Sequence, residues 1–314
     1  MKRFPRKLPV LILWVICLVA TGSCNHRDLC YDHSHWVDLR VCFDWTGVEE
    51  ADRPATMMVK MFPCHGGEPR TYEIADYGGV FIRIPADDYD CVAYGGDYRL
   101  LKEQGNTYDE FCVTTSEESM ETTFTRIAPS APRPQGTEDQ PIKGLPGKTC
   151  SASLTSIHIS AASNQTVTLS PTPATVDYTV SIKNAENVSD KLEYYAVLSG
   201  IAESHSPSLK SPSGRPVSVP LDLGIAGSTE LGGKITVFGH CPTKGSPSRH
   251  ILTIYTSNKY YYNYDVTDQI HGSADPRHVE IIIDGIKLPP YGGTGLNPDV
   301  RDWSDVLDRN ISMN

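Results

Sequence analysis

The apolar residues of this chain recur with a period of two almost everywhere, and that periodicity restricts it to sheets. In residues 36–43 (WVDLRVCF), Val37, Leu39, Val41 and Phe43 fall on one face of an extended chain, while Asp38 and Arg40 fall on the other. Residues 80–84 (VFIRI) repeat the alternation, and Pro85-Ala86-Asp87-Asp88 turns the chain into a further strand over 89–94. Residues 57–62 read as another. A second set follows the middle of the chain. Val176, Tyr178, Val180 and Ile182 alternate, as do Ile235 and Val237, with further strands over 192–198, 217–223 and from Ile251 onward. The strongest run is 278–288 (HVEIIIDGIKL), where three consecutive isoleucines predict burial on both faces. Short strands separated by Gly, Pro and Asp are the pattern of a sandwich. Helical signals are few: residues 98–103 predict a turn or two, and Val300, Trp303 and Leu307 have helical spacing.

Between the two sets lie residues 128–147 (APSAPRPQGTEDQPIKGLPG), with five prolines and three glycines. Proline cannot donate to a sheet ladder and breaks helix interiors, so the segment is expected to be an exposed, semi-stiff connector. The expected organisation is all-β. It has a first sandwich over 36–127, a linker over 128–148 and a second sandwich with its tail over 149–314.

The N-terminus is of a different kind. A basic start (MKRFPRK) precedes an apolar core over 10–20 (VLILWVICLVA), and Thr21-Gly22-Ser23 lead into Cys24. This is a secretory signal over residues 1–23, and its core is too short for a bilayer span, which takes about 20 residues. Small residues directly before a cysteine resemble a bacterial lipobox, with Thr21 where such boxes usually carry Leu. Cys24 is then the lipidation site and residues 24–35 a polar tether. Losing the signal removes Lys2, Arg3, Arg6 and Lys7, which moves the formal charge from −10 to −14. An acidic chain gains nothing from phosphate counterion release, so nucleic acid is not an expected partner. Anionic headgroups repel it too, which leaves acylated Cys24 to hold it to the membrane.

Seven cysteines remain beyond Cys17 and Cys24: Cys30, Cys42, Cys64, Cys91, Cys112, Cys150 and Cys241. Their spacing forms no compact framework, and no obligatory disulfide scaffold is expected. Cys42 and Cys91 sit inside strand patterns, where a thiol acts as a small buried hydrophobe.

Three constellations could carry chemistry. Cys24, His26, Asp28, Cys30, Asp32, His33 and His35 bring together zinc-ligand types, but no second couple follows at structural-zinc spacing, and a polar tether explains them better. Tyr255, Tyr260, Tyr261, Tyr262 and Tyr264 form an aromatic stripe that would either offer sugars a platform or pack across strands inside a sheet, the second being commoner. Asp87, Asp88 and Asp90 are paired carboxylates that a β-turn explains. Catalytic and phosphate-binding motifs are missing, and Tyr291-Gly-Gly-Thr-Gly295 lacks the strand-to-helix context of a phosphate loop. The expectation is therefore a non-enzyme with no cofactor, no metal and no catalytic residue.

Several segments together resemble a known family: 24–33 (CNHRDLCYDH), 37–45 (VDLRVCFDW), 84–94 (IPADDYDCVAY), and the ending IKLPPYGG followed by NPDVRDW over 286–303. They are similar to Bacteroidales fimbrial anchor lipoproteins of the FimB/Mfa type, and the similarity spans nearly the whole chain. The resemblance implies two tandem transthyretin-like β-sandwiches, lipid on Cys24 and a place at the base of a pilus on the outer membrane. The implied partners are fimbrial stalk subunits, joined by β-strand complementation. A surface glycan-binding lipoprotein using the tyrosine stripe is the alternative.

Overall fold

The computed structural model describes residues 35–76, 78–119, 131–161, 164–241 and 249–291. Alternation becomes strand where it is strongest. β1 (Trp36–Phe43) buries Leu39, Val41 and Phe43 and leaves Asp38 and Arg40 exposed. β2 (Met57–Pro63), β3 (Arg70–Ile74), β4 (Val80–Pro85) and β5 (Asp88–Gly95) follow. The chain then forms the hairpin β6 (Leu101–Gln104) and β7 (Cys112–Thr115), and the short pieces β8 (Glu117–Glu118) and β9 (Ile142–Lys143). β10 (Cys150–His158), β11 (Gln165–Leu169) and β12 (Thr172–Pro173) complete the first sandwich. One of its sheets runs β11-β1-β4 and the other β12-β10-β5-β2-β3. Between them Leu39, Met57, Ile84, Tyr89, Cys91 and Leu169 form the core.

The second sandwich consists of β13 (Val176–Lys183), β14 (Tyr194–Ser206), β15 (Ser211–Gly227), β16 (Glu230–Val237), β17 (Ile251–Thr256), β18 (Tyr261–Asp265) and β19 (His278–Asp284). They are ordered β18-β17-β14-β15-β16-β13-β19. The long β15 pairs with β14 along most of its length and with β16 only at its end, so it turns the sheet through a corner. The two halves close on one apolar core, to which Tyr178, Leu198, Val219, Ile254 and Ile281 contribute.

The boundary expected at 128–148 does not divide the cores. Residues 150–169, assigned by sequence to the second sandwich, pack in the first: β10 pairs with β5, and β11 runs parallel to β1 with Leu39 opposite Gln165. Conversely β7 pairs with β14, with Val113 opposite His205. Alternation tells which face of a strand is buried but not which sheet receives it, and non-local pairing decides the rest.

The proline-rich segment departs from expectation in a related way. From Ala131 onward it is a packed strap. Ala131, Pro134, Thr137, Ile142 and Lys143 are buried, and Ile142 pairs with Ser218 of β15. The strap covers the outer face of the sheet, where Tyr195, Tyr255 and Tyr261 stand in one cross-strand row. Tyr255 Oη donates to the Pro132 carbonyl at 2.8 Å, and Arg133 Nη2 donates to the Thr137 and Gln140 carbonyls and to Ser218 Oγ at 3.0, 3.1 and 2.7 Å. Proline rings supply apolar cover without needing ladder partners for missing N–H groups, which suits such a strap.

Residues 98–103 make a turn and enter β6, not a helix; the single α-helix among the described residues is α1 (Thr267–His271). Ile281 and Ile283 are buried while Ile282 is half-buried, because β19 ends its sheet. The spacing at 300–307 lies outside the described residues.

An apolar layer joins the sandwiches. Phe62, Val92 and Tyr94 from the first meet Leu101, Phe111 and Val113 of the β6–β7 region and Phe238 of the second. Polar ties flank it. His205 Nε2 lies 2.8 Å from Ser151 Oγ, and Lys148 bridges Asp52 at 3.4 Å and Asp177 at 3.0 Å. Burial works against the Asp177 charge, yet bonds from Thr236, Lys234 and Lys148 hold its carboxyl down to about 2.

Candidate functional site

Cys24, His26, Asp28, Cys30, Asp32 and His33 lie outside the described residues, and His35 is exposed. Among the described residues Cys42, Cys64, Cys91, Cys112 and Cys150 form no disulfide. Cys91 and Cys150 are buried, and burial pushes Cys150 up to about 12, far from any reactive thiolate.

The tyrosine stripe packs within and around the sheet and forms no open platform. Tyr264 is buried and Tyr262 packs against the same core, with its Oη donating to the Lys287 carbonyl at 2.9 Å. Tyr255 and Tyr261 face the opposite way, under the strap. Tyr260 N donates to Thr256 Oγ1 in the turn. The aspartates at the β4–β5 turn are structural as well. Asp87 is 2.7 Å from His65 Nδ1, Asp88 is 2.6 Å from His158 Nδ1, and Asp90 accepts from the Ser156 amide at 2.9 Å. Among the described residues no three His, Cys, Asp or Glu side chains converge as a metal-ligand set.

What the fold does offer is an edge. β19 pairs on one side with β13, in parallel, from Asp177 opposite His278 to Lys183 opposite Asp284. Its inward face carries Val279, Ile281 and Ile283, and its outward face exposes His278, Glu280 and Asp284. On its other side no strand among the described residues pairs with it. There Gln269 of α1 stands in for one. Its Nε2 donates to the Ile282 carbonyl at 3.0 Å, and its Oε1 accepts from the Ile282 amide at 2.7 Å. A primary amide offers one donor and one acceptor side by side, as a neighbouring backbone would. In a parallel ladder alternate residues turn their peptide groups to opposite neighbours, so Glu280 and Asp284 turn theirs the same way as Ile282. The edge is thus two-sided in chemistry, apolar toward the core and acidic toward solvent, with a single glutamine across its middle. Sequence periodicity locates β19 but gives no sign of Gln269, which acts through a contact thirteen residues away.

The fold has relatives of known structure. A candidate adhesin from Bacteroides ovatus ATCC 8483 superposes with a TM-score of 0.58 at 16% identity, over 86% of this chain and 98% of that one. The fimbrial anchor protein Mfa2 from Porphyromonas gingivalis superposes with a TM-score of 0.50 at 12% identity, over 79% of this chain and 90% of that one. At these identities what is shared is the fold, which agrees with the architecture implied by the sequence resemblance. No curated protein matches the sequence. Residues 23–222, well over half of the chain, match the family model described as a domain of unknown function, DUF5119, and the chain belongs to that family.

Proposed function

We propose that this chain is a non-catalytic, lipid-anchored subunit of a surface fimbrium, an anchor or minor subunit that joins stalk subunits to the outer membrane. The observation that carries the reading is the β19 edge: an ordered, half-apolar strand with backbone groups turned outward and one side chain across them. Strand addition at such an edge forms a row of backbone hydrogen bonds, while pockets for alternate side chains supply selectivity. Acylated Cys24 supplies the fixed end. A subunit with one membrane attachment and one pairing edge does the work of an anchor, and the shared fold with Mfa2 supports the same assignment. The acidic surface speaks against nucleic acid as a partner. The glycan-binding alternative loses its platform, since Tyr262 and Tyr264 belong to the core of the sandwich.

Two substitutions test the two ends separately. Cys24→Ala is expected to move the protein from membrane to soluble fractions and to abolish incorporation of a clickable palmitate analogue; unchanged fractionation contradicts lipid anchoring. Glu280→Pro removes an outward-turned amide while leaving the bonds to β13 in place. It is expected to leave the isolated protein folded and to abolish its co-purification with fimbriae. Wild-type incorporation of this variant rules out β19 as the pairing edge.

A further inference from the structure

The β19 edge carries a side-chain pattern that selects among strands. Resting on the reading of β19 in the proposed function, we propose that the strand it accepts is an extended segment of another subunit in which apolar residues alternate with polar ones, with lysine or arginine at the positions beside Glu280 and Asp284. A residue of an added strand puts its side chain on the same face of the sheet as the residue it stands beside. Beside Val279, Ile281 and Ile283 it points inward, where these three and Ile270 of α1 belong to one apolar core, and only apolar side chains suit. Beside Glu280, Ile282 and Asp284 it points outward, next to two exposed acids with a half-buried isoleucine between them. This order of acid, isoleucine and acid reads the same in both directions, so it holds for a parallel and an antiparallel newcomer.

The neighbours on β13 decide how strongly each acid selects. β13 sets Thr179 beside Glu280, Ser181 beside Ile282 and Lys183 beside Asp284. Asp284 thus already has a cation next to it, and its Oδ1 accepts from Asn184 Nδ2 at 2.7 Å. Glu280 has a threonine there and forms no ion pair among the described residues. His278, the next outward side chain along β19, is taken up by Asp275 at 2.9 Å. Opposite charges directly across a strand pair attract and like charges repel, each by enough to change an affinity a few-fold. A cation beside Glu280 is therefore the main selector, and one beside Asp284 the lesser.

Gln269 makes the selection effective. It holds both the amide and the carbonyl of Ile282, so a newcomer must first break these two bonds. An incoming backbone returns one donor and one acceptor at the same place, which is an even exchange. Since that exchange gains nothing at Ile282, binding is decided by the apolar row on the inner side and by the charges on the outer side. A strand with acids beside Glu280 gains no such compensation and leaves Gln269 in place. The net charge of −10 also draws a basic segment toward the molecule from a distance. Charge alone attracts any basic peptide, however, and only the alternation ties one to this edge.

The test is fluorescence anisotropy of labelled peptides titrated with purified protein. The peptides are Val-Lys-Val-Thr-Val-Lys-Val, the same peptide with Glu for Lys, and Val-Val-Lys-Lys-Thr-Val-Val, which keeps composition and charge but breaks the alternation. Wild type is expected to bind the alternating lysine peptide about tenfold more tightly than either of the others, with the preference over glutamate shrinking at about 0.5 M salt. Glu280→Lys, a change at an exposed position, should abolish that preference, and Gln269→Ala should bind the lysine peptide about threefold more tightly. Equal affinity for the lysine and glutamate peptides, a preference that survives Glu280→Lys, or equal binding of the scrambled peptide overturns the proposal and leaves the edge itself standing. Binding of none of the peptides up to about 1 mM overturns it too. If Glu280→Pro then enters fimbriae as wild type does, the edge reading falls with it. Self-association of the wild type that the lysine peptide does not displace assigns the edge to a second copy of this chain and likewise overturns the proposal.

Discussion

Two residues carry much of what is unusual in the interior. Gly200 combines a positive φ with a backbone so close to His250 and the Arg249 carbonyl that any side chain must displace one of them. Gly200→Ala is expected to destabilise the protein by about 2 kcal/mol or more, measured by denaturant unfolding, whereas Gly136→Ala, with the same backbone sign but open space around it, should cost about 1 kcal/mol or less. His205 sits at the junction with Nε2 against Ser151 and Nδ1 buried without a partner. Burial lowers its proton affinity from the ordinary 6.5 to about 4. Below 6.5 the unfolded chain takes up a proton that the folded protein refuses, so stability is lost as pH falls through the window from about 6.5 to 4. The loss amounts to about 3 kcal/mol for this one group. Replacing it, as in His205→Gln, should flatten the acid limb of the stability curve by that amount; an unchanged limb shows that other groups govern it.

At the scale of elements, the apolar layer holding Phe111 and Phe238 makes the sandwiches mechanically one piece. Phe111→Ala is expected to cost about 3–5 kcal/mol and to split one calorimetric transition into two. The strap gives a complementary prediction. Tyr255→Phe removes the bond to Pro132 and should cost about 1 kcal/mol while speeding protease cleavage within 131–147, a segment whose packing is expected to slow cutting in the wild type. Fragments cut there should stay associated, because β10 and β11 lie in the first core. Much of this was legible beforehand. Strands at 36–43, 80–85, 176–183 and 278–284 follow from alternation that fixes which face is buried. The aromatic packing of Tyr262 and Tyr264 follows in the same way. What alternation does not encode is partnership. The parallel pairing of β1 with β11, the burial of a proline-rich strap and the reach of Gln269 to Ile282 all depend on contacts between distant segments.

For the whole molecule, the proposed function joins lipid on Cys24 to the β19 edge, with which no second strand pairs among the described residues. A long open edge invites non-specific pairing, and this one is guarded by Gln269 and by the charges of Glu280 and Asp284. Removing the guard, as in Gln269→Ala, should leave the fold intact and raise self-association, read by light scattering of the purified protein. Strand insertion yields slow dissociation, so a fimbrial joint made this way should persist in unboiled gels. The most direct measurement of the central claim is deletion of the gene followed by electron microscopy of cells and fractionation of fimbriae between cells and medium. Fimbriae are expected to be shed into the medium or altered in length, with attachment restored by the wild-type gene and not by Cys24→Ala. Fimbriae of normal length, number and attachment in the deletion strain would contradict it.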